Sequence, residues 1–417
     1  MKLTALFGTL GGLLVLAFVA NRLFRRSRIP DVVVLMATGL VLGPILGWVN
    51  ASRFEGIAHA FGTLAVILIL FEGGLELDIR GALRHFPGGL LLGVLGFTIT
   101  LALVTPVVWW TLQMSVSSAL LVGAVVSCTS SAVVLPILQQ LEARPPLKVT
   151  LLLEASLGDV LGVLTVGILL DIYAFGGSLA GEFLRRIFSE VTVSLLMALV
   201  AGYLWSRLLP ILSEQRFWQV LTFSVVLLLY AGSEALMANG LIAVLGFGLT
   251  LANFPGIDQR LLQATLEVES PAEEHHQQIL TFHSELAVLV RTFFFVLLGV
   301  VVKVGGLGRN LPTIMGIVGA LLVARWLAVQ ASCWSWREIE SRDREMVFWL
   351  LPRGLITAVL AIQVLEARGK EFAALPTLAF AIILVTNLLV VLGTIRARRQ
   401  PAVSTPAPAE AAAPPAT

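Results

Sequence analysis

The sequence predicts an all-α membrane protein with about thirteen transmembrane helices. Three observations carry this: too little charge for a wetted surface, apolar runs of bilayer length along most of the chain, and two such runs interrupted in mid-span. Of the 417 residues, 57% are hydrophobic and 13% are charged. A soluble domain carries about 25% charged residues, so a chain this long could not be wetted on all sides. The net charge of +2 is too small to draw a nucleic-acid partner.

The apolar runs are 3–24, 30–50, 57–77, 88–114, 116–140, 147–173, 187–212, 217–237, 238–254, 281–305, 312–334, 342–367 and 374–396. Each is near the length needed to cross the hydrocarbon core. The first has no basic region beyond Lys2 and no clear small-residue cleavage site, so it reads as a helix and not as a signal peptide. Residues 1–399 thus form one transmembrane domain. Residues 400–417, rich in Pro and Ala, are expected to be a disordered tail. Basic residues favour the cytoplasmic side. Placing Arg22, Arg25, Arg26 and Arg28 there puts the N-terminus outside and Arg396, Arg398 and Arg399 inside. The expected location is the inner membrane of the cell. Cys128 and Cys333 are too few for a disulfide framework or a four-ligand metal site, and His275 and His276 fall in what reads as a polar loop.

The fifth run contains Ser127-Cys128-Thr129-Ser130-Ser131 and then Pro136. Consecutive polar residues point all round a helix, and Ser and Thr offer the backbone alternative hydrogen bonds. The twelfth contains Pro352-Arg353-Gly354 and Thr357, a lost amide donor beside added backbone freedom. Irregular backbone survives at membrane depth only inside protein or beside water. The runs are seven apart, so they cross in opposite directions, which points to an inverted repeat and a transporter plan.

Ionisable groups within spans need a partner or a purpose. This chain has several, among them Glu72, Glu154, Asp159, Glu285, Arg291, Arg325 and Arg353. Asp159 lies half-way along the sixth run. Burial there favours a bound proton over the bare anion, and a metal cation favours the anion, so proton and cation compete for one group. Ser156, three residues earlier, shares its face and is a candidate for the ion's shell. Gly158 leaves room for a neighbouring backbone. Glu154 points about 140° away from Asp159. It reads as the counter-charge of a buried arginine, with Arg325 the first candidate and Arg353 the second. Glu72 ends the third run and reads either as a cation funnel or as a snorkelling end residue, and Gly73-Gly74 beside it allows a close helix contact. Arg291 should pair with a carboxylate or a helix C-terminus. Glu285 need not be that partner.

Together these residues resemble the monovalent cation/proton antiporter family, on its sodium/proton exchanger (NhaP-like) branch, over residues 5–395. The resemblance rests on the order of Gly39-Leu40-Val41-Leu42-Gly43-Pro44, Phe71-Glu72-Gly73-Gly74-Leu75, the break at Thr129, Glu154 to Asp159, Phe293-Phe294-Phe295-Val296-Leu297-Leu298-Gly299, and Pro352-Arg353-Gly354. It implies inverted repeats with two crossed broken helices, a six-helix core domain and a dimerisation domain, hence a homodimer. It implies no cofactor: the monovalent cation (Na+ first, K+ or Li+ otherwise) and H+ are substrates. By the same resemblance Asp159 binds the ion, the backbone at Thr129 helps, Ser130 follows in the same break, and Glu154 pairs with Arg325. Two positions depart from the family pattern. Gly158 stands where asparagine or a second aspartate is usual, and Ser130 where aspartate is common. One central carboxylate favours electroneutral exchange.

Two other functional classes share parts of this pattern. Leu157-Gly158-Asp159 looks like part of an intramembrane aspartyl-protease motif, but no Tyr-Asp dipeptide supplies the second acid such chemistry needs. A potassium efflux system is the other alternative, and no nucleotide-binding G-x-G-x-x-G module is present to regulate one.

Overall fold

The computed structural model describes residues 30–49, 55–76, 79–141, 143–175, 179–212, 217–262, 271–332 and 341–399, with Gln215 and scattered positions before residue 23. The described residues are helical almost throughout. Helix α1 (Asp31–Leu40) runs on into a π-helical turn, Val41–Ile45, where Pro44 lacks an amide donor. Then come α2 (Glu55–Glu76), α3 (Ile79–Leu112), α4 (Val116–Ser127), α5 (Ser131–Gln140), α6 (Pro145–Phe175) and α7 (Leu179–Leu212). Next are α8 (Trp218–Ala235), α9 (Gly240–Leu262), α10 (Pro271–Val301), α11 (Val304–Arg309) and α12 (Leu311–Ser332). The chain ends with α13 (Ser341–Trp349), α14 (Leu355–Arg368) and α15 (Leu375–Arg399). Among the described residues, eight helices are long and apolar enough to cross a membrane.

Most apolar runs became helices, and the boundaries differ for physical reasons. Helices α3, α7 and α10 start eight to ten residues before their apolar runs, because backbone hydrogen bonding continues after the sequence turns polar. His275 and His276 therefore sit in α10 and not in a loop. The run 281–305 stops as a helix at Val301, and α11 follows it. Asn239 separates α8 from α9: its side-chain oxygen accepts from the amides of Leu241 and Ile242, both at 3.1 Å, and caps the new helix. The first apolar run lies largely outside the described residues, as do Cys333 and the tail from residue 400.

The helices pack in two groups. In one, α3 lies against α12, α6 and α4, while α14 and α15 pack together and α13 lies on α15. In the other, α2 lies against α9 and α10, α1 against α10, and α9 against α7 and α8. The second group has its own core around Phe71, Trp205, Trp218 and Phe247. Glycines set its closest contacts. A side chain on Gly39 would strike the backbone of α10 at Val296 and Gly299, and one on Gly74 would strike α9 at Leu245 and Gly248. Helices this close gain dispersion contacts that lipid tails could not supply.

Both interrupted runs are broken helices. Cys128–Ser130 separates α4 from α5, and Leu350–Gly354 separates α13 from α14. The two breaks meet: the Ser130 amide donates to the Pro352 carbonyl at 2.8 Å. Gly354 sits against the Ser130 side chain, where an added Cβ would come 2.6 Å from the Ser130 Cβ. Gly354→Ala should therefore lower the melting temperature, since overpacking costs about 1–3 kcal/mol. Adding Ser130→Gly should recover the loss in a thermal-stability assay of the purified protein. Equal melting of Gly354→Ala and wild type would mean that the contact is slack.

Candidate ion-binding site

Asp159, in the middle of α6, is 2% exposed. Its Oδ2 accepts from Ser131 Oγ at 3.1 Å, and its Oδ1 is buried without a hydrogen-bond partner among the described residues. Ser131 is the first residue of α5, so the carboxyl faces the positive end of a helix that begins at the break. Ser156 is buried on the same helix, but the hydroxyl that reaches Asp159 is Ser131's. Ser131 lay inside the interrupted stretch, and nothing in the sequence distinguished it from its neighbours.

A second layer surrounds this group. Glu154 and Arg325 form a buried bidentate pair, with Nη1 on Oε1 and Nη2 on Oε2, the latter at 3.0 Å. Arg325 also donates from Nε to the Val347 carbonyl at 2.9 Å and from Nη2 to the Leu350 carbonyl at 2.8 Å. One guanidinium thus neutralises a carboxylate and satisfies carbonyls left open where α13 ends. Thr129 Oγ1 donates to Glu154 at 3.3 Å and accepts from Arg353 Nη1 at 2.9 Å. The Thr129 side chain therefore links the charged pair to Arg353 and does not point at Asp159.

Arg353 is buried in the second break, within electrostatic range of Asp159 and Glu154, and forms no ion pair with another described residue. Its backbone is held by α15: the Arg353 amide donates to Thr386 Oγ1 at 3.1 Å, and Asn387 Nδ2 donates to the Arg353 carbonyl at 2.8 Å. Thr386 and Asn387 were not singled out in the sequence. The signal was there: an amide side chain within an apolar run needs a partner. Gly158 borders a void of about 10 Å³ shared with Glu154, Thr129, Arg325 and Arg353. Glu154 and Gly158 are one turn apart, on the face turned away from Asp159.

Further out, Glu72 lies half-buried opposite Ser284 of α10 and within electrostatic range of Arg291. Arg291 pairs with Asp31 at 2.9 Å, a partner that was not singled out in the sequence. A cavity of about 560 Å³ opens between the two helix groups at the other end of α6. Asp171, Glu190 and Glu234 line it, and it reaches Val163, one turn beyond Asp159 on the same face. Glu72 is not among its walls.

Long apolar helices around two crossed breaks, with a partnerless carboxyl oxygen at the crossing, define a polytopic membrane transporter. The chain belongs to the transmembrane sodium/hydrogen exchanger family, whose model matches residues 13–397. It is thus a transporter, and the protease reading falls. It is similar to Na(+)/H(+) antiporter 1 of Methanocaldococcus jannaschii, 25% identical over 87% of this chain and 84% of that one. It also resembles the K(+)/H(+) antiporter NhaP2 of Shewanella oneidensis, 25% identical over 87% of this chain, where it spans 61% of the relative. The solved structure of the sodium proton antiporter MjNhaP1 from Methanocaldococcus jannaschii at pH 8 shares the fold. Its TM-score is 0.75 at 21% identity, covering 95% of this chain and 97% of that one.

Proposed function

We propose that this chain exchanges a monovalent cation, Na+ first, for H+ by alternating access, with Asp159 as the group that carries either one. The observation behind this is the Asp159 carboxyl itself: one oxygen is anchored by Ser131, and the other is buried with no hydrogen-bond partner among the described residues. A buried anion with a vacant oxygen favours a proton or a partly dehydrated cation, and it cannot hold both. Ser130 and the backbone at Thr129 complete the shell. Glu154, Arg325 and Arg353 keep the crossing rigid and compensate its charge. Asp171, Glu190 and Glu234 draw cations into the large cavity, which is the outer vestibule if the N-terminus lies outside and the C-terminus in the cytoplasm. Glu72 serves the cytoplasmic end. The working protein is a homodimer in the inner membrane. A K+/H+ exchanger is the second reading, favoured by the similarity to NhaP2.

The test is purified protein in proteoliposomes containing a pH dye, given jumps of Na+, K+ or Li+. Na+ should move protons at the lowest concentration, and K+ alone doing so would make the chain a K+/H+ exchanger. No cation-dependent proton movement would end the proposal. One titrating carboxyl holds one proton or one cation, so exchange should be electroneutral. With the membrane potential clamped by K+ and valinomycin, the steady-state rate of Na+ exchange should not change with voltage. A driving force that shifts with voltage would require a second titrating group, with Glu154 and Glu72 the first to examine.

A further inference from the structure

We infer that Arg291 is a conformational latch that holds the helix pair α5–α6 against α10 in the state with the large cavity open, and that Pro136 creates the group it grips. In a regular helix the Ala132 carbonyl would accept from the amide four residues on. That residue is Pro136, which has no amide hydrogen. The vacancy is filled from another helix: Arg291 Nη1 of α10 donates to the Ala132 carbonyl at 3.3 Å. Arg291 is itself held in place, because Nη2 binds Asp31 Oδ2 at 2.9 Å while Asp31 Oδ1 accepts from the Val32 amide at 2.9 Å. Asp31, at the start of α1, and Arg291 belong to helices that pack on each other. Ala132 belongs to the half-helix that starts at the ion site, one residue after the serine bound to Asp159.

The arrangement joins the two helix groups at one end, while the cavity lined by Asp171 and Gln363 separates the same two groups at the other. If the groups move past each other to expose Asp159 on the opposite side, as alternating access requires, the Arg291 bond to Ala132 must break. The Asp31 pair, internal to its group, need not. A bond made in one state only shifts the balance between states by its differential strength. The inference rests on the transport reading above, but it concerns which state is favoured and not which ion is carried.

The experiment places a cysteine at Gln363, in the cavity wall, with Cys128 and Cys333 replaced by alanine. Labelling by a membrane-impermeant maleimide is followed in nanodiscs, where both faces are accessible. Arg291→Gln should slow labelling several-fold by depopulating the open state. Pro136→Ala, which offers the Ala132 carbonyl an intrahelical donor, should slow it too, and the double variant should be no slower than Arg291→Gln alone. Asp31→Asn, which leaves Arg291 in place but loosens it, gives an intermediate rate and covers the case in which Arg291→Gln does not fold. Unchanged labelling in folded Arg291→Gln and Pro136→Ala, while labelling in the parent still responds to Na+, would overturn the latch and leave the transport reading standing. If labelling in the parent does not respond to Na+ or pH at all, alternating access itself fails, and the latch with it.

Discussion

Asp159→Asn should abolish cation-dependent proton flux while leaving the protein folded. Asparagine keeps the shape of the side chain and can still accept from Ser131, which bonds the wild-type Oδ2 at 3.1 Å. It can neither take up nor release a proton, so the competition that couples the two ions disappears. The substituted amide also places an NH2 group where a cation would sit, adding a donor that repels it. Elution as a single species, with a melting temperature near or above wild type, would show that the loss is chemical. Removing a buried anion without an ion pair should not destabilise the fold. The same variant should lose protection from thermal unfolding by Na+, because a ligand stabilises only the state that binds it. Flux at wild-type rates in this variant would remove Asp159 from the mechanism, and Glu154 would be the next carboxyl to test.

Glu154→Gln should act mainly on stability. It leaves Arg325 buried without a counter-charge, and breaking a buried pair costs about 3–5 kcal/mol. Arg325→Met should be worse than Arg325→Gln in the same assay. Arg325 also serves the carbonyls of Val347 and Leu350, and each carbonyl left unsatisfied costs about 1–3 kcal/mol. The double variant Glu154→Gln, Arg325→Gln should recover part of the loss, since it removes both charges and keeps an amide donor near the end of α13. The readouts are yield of folded protein and melting temperature. A double variant no better than the worse single change would show that the two residues are not energetically coupled. The result separates a counter-charge from an ion ligand, because an ion ligand would lose affinity for the cation with its stability intact.

The membrane class, most of the spans and both interruptions were legible in the sequence, because each depends on local composition. A polar cluster within an apolar run, or a Pro-Arg-Gly step, breaks a helix wherever it lies, and the breaks at Cys128–Ser130 and Leu350–Gly354 follow from those residues alone. Asp159 stood out for a similar reason, as a charge among apolar neighbours. Helix ends were less legible. Helices α3, α7 and α10 continue into polar sequence, and hydropathy marks where the bilayer stops and not where backbone hydrogen bonding does.

Partners across the fold were decided only by the tertiary structure. A single sequence ranks candidate counter-charges but does not measure distance. It ranked Arg325 above Arg353 for Glu154, and it named no particular carboxylate for Arg291, whose partner is Asp31, 260 positions away. Ser131 and Asn387 needed the fold for the same reason: hydrogen bonds at separations of 28 and 34 residues arise when two helices arrive at one point. The carbonyl of Ala132 shows the division most plainly. That Pro136 would leave it without an amide four residues on was written in the sequence. Which donor would reach it was not, because Arg291 lies 159 positions along the chain and arrives only through the packing of α10 beside the broken helix.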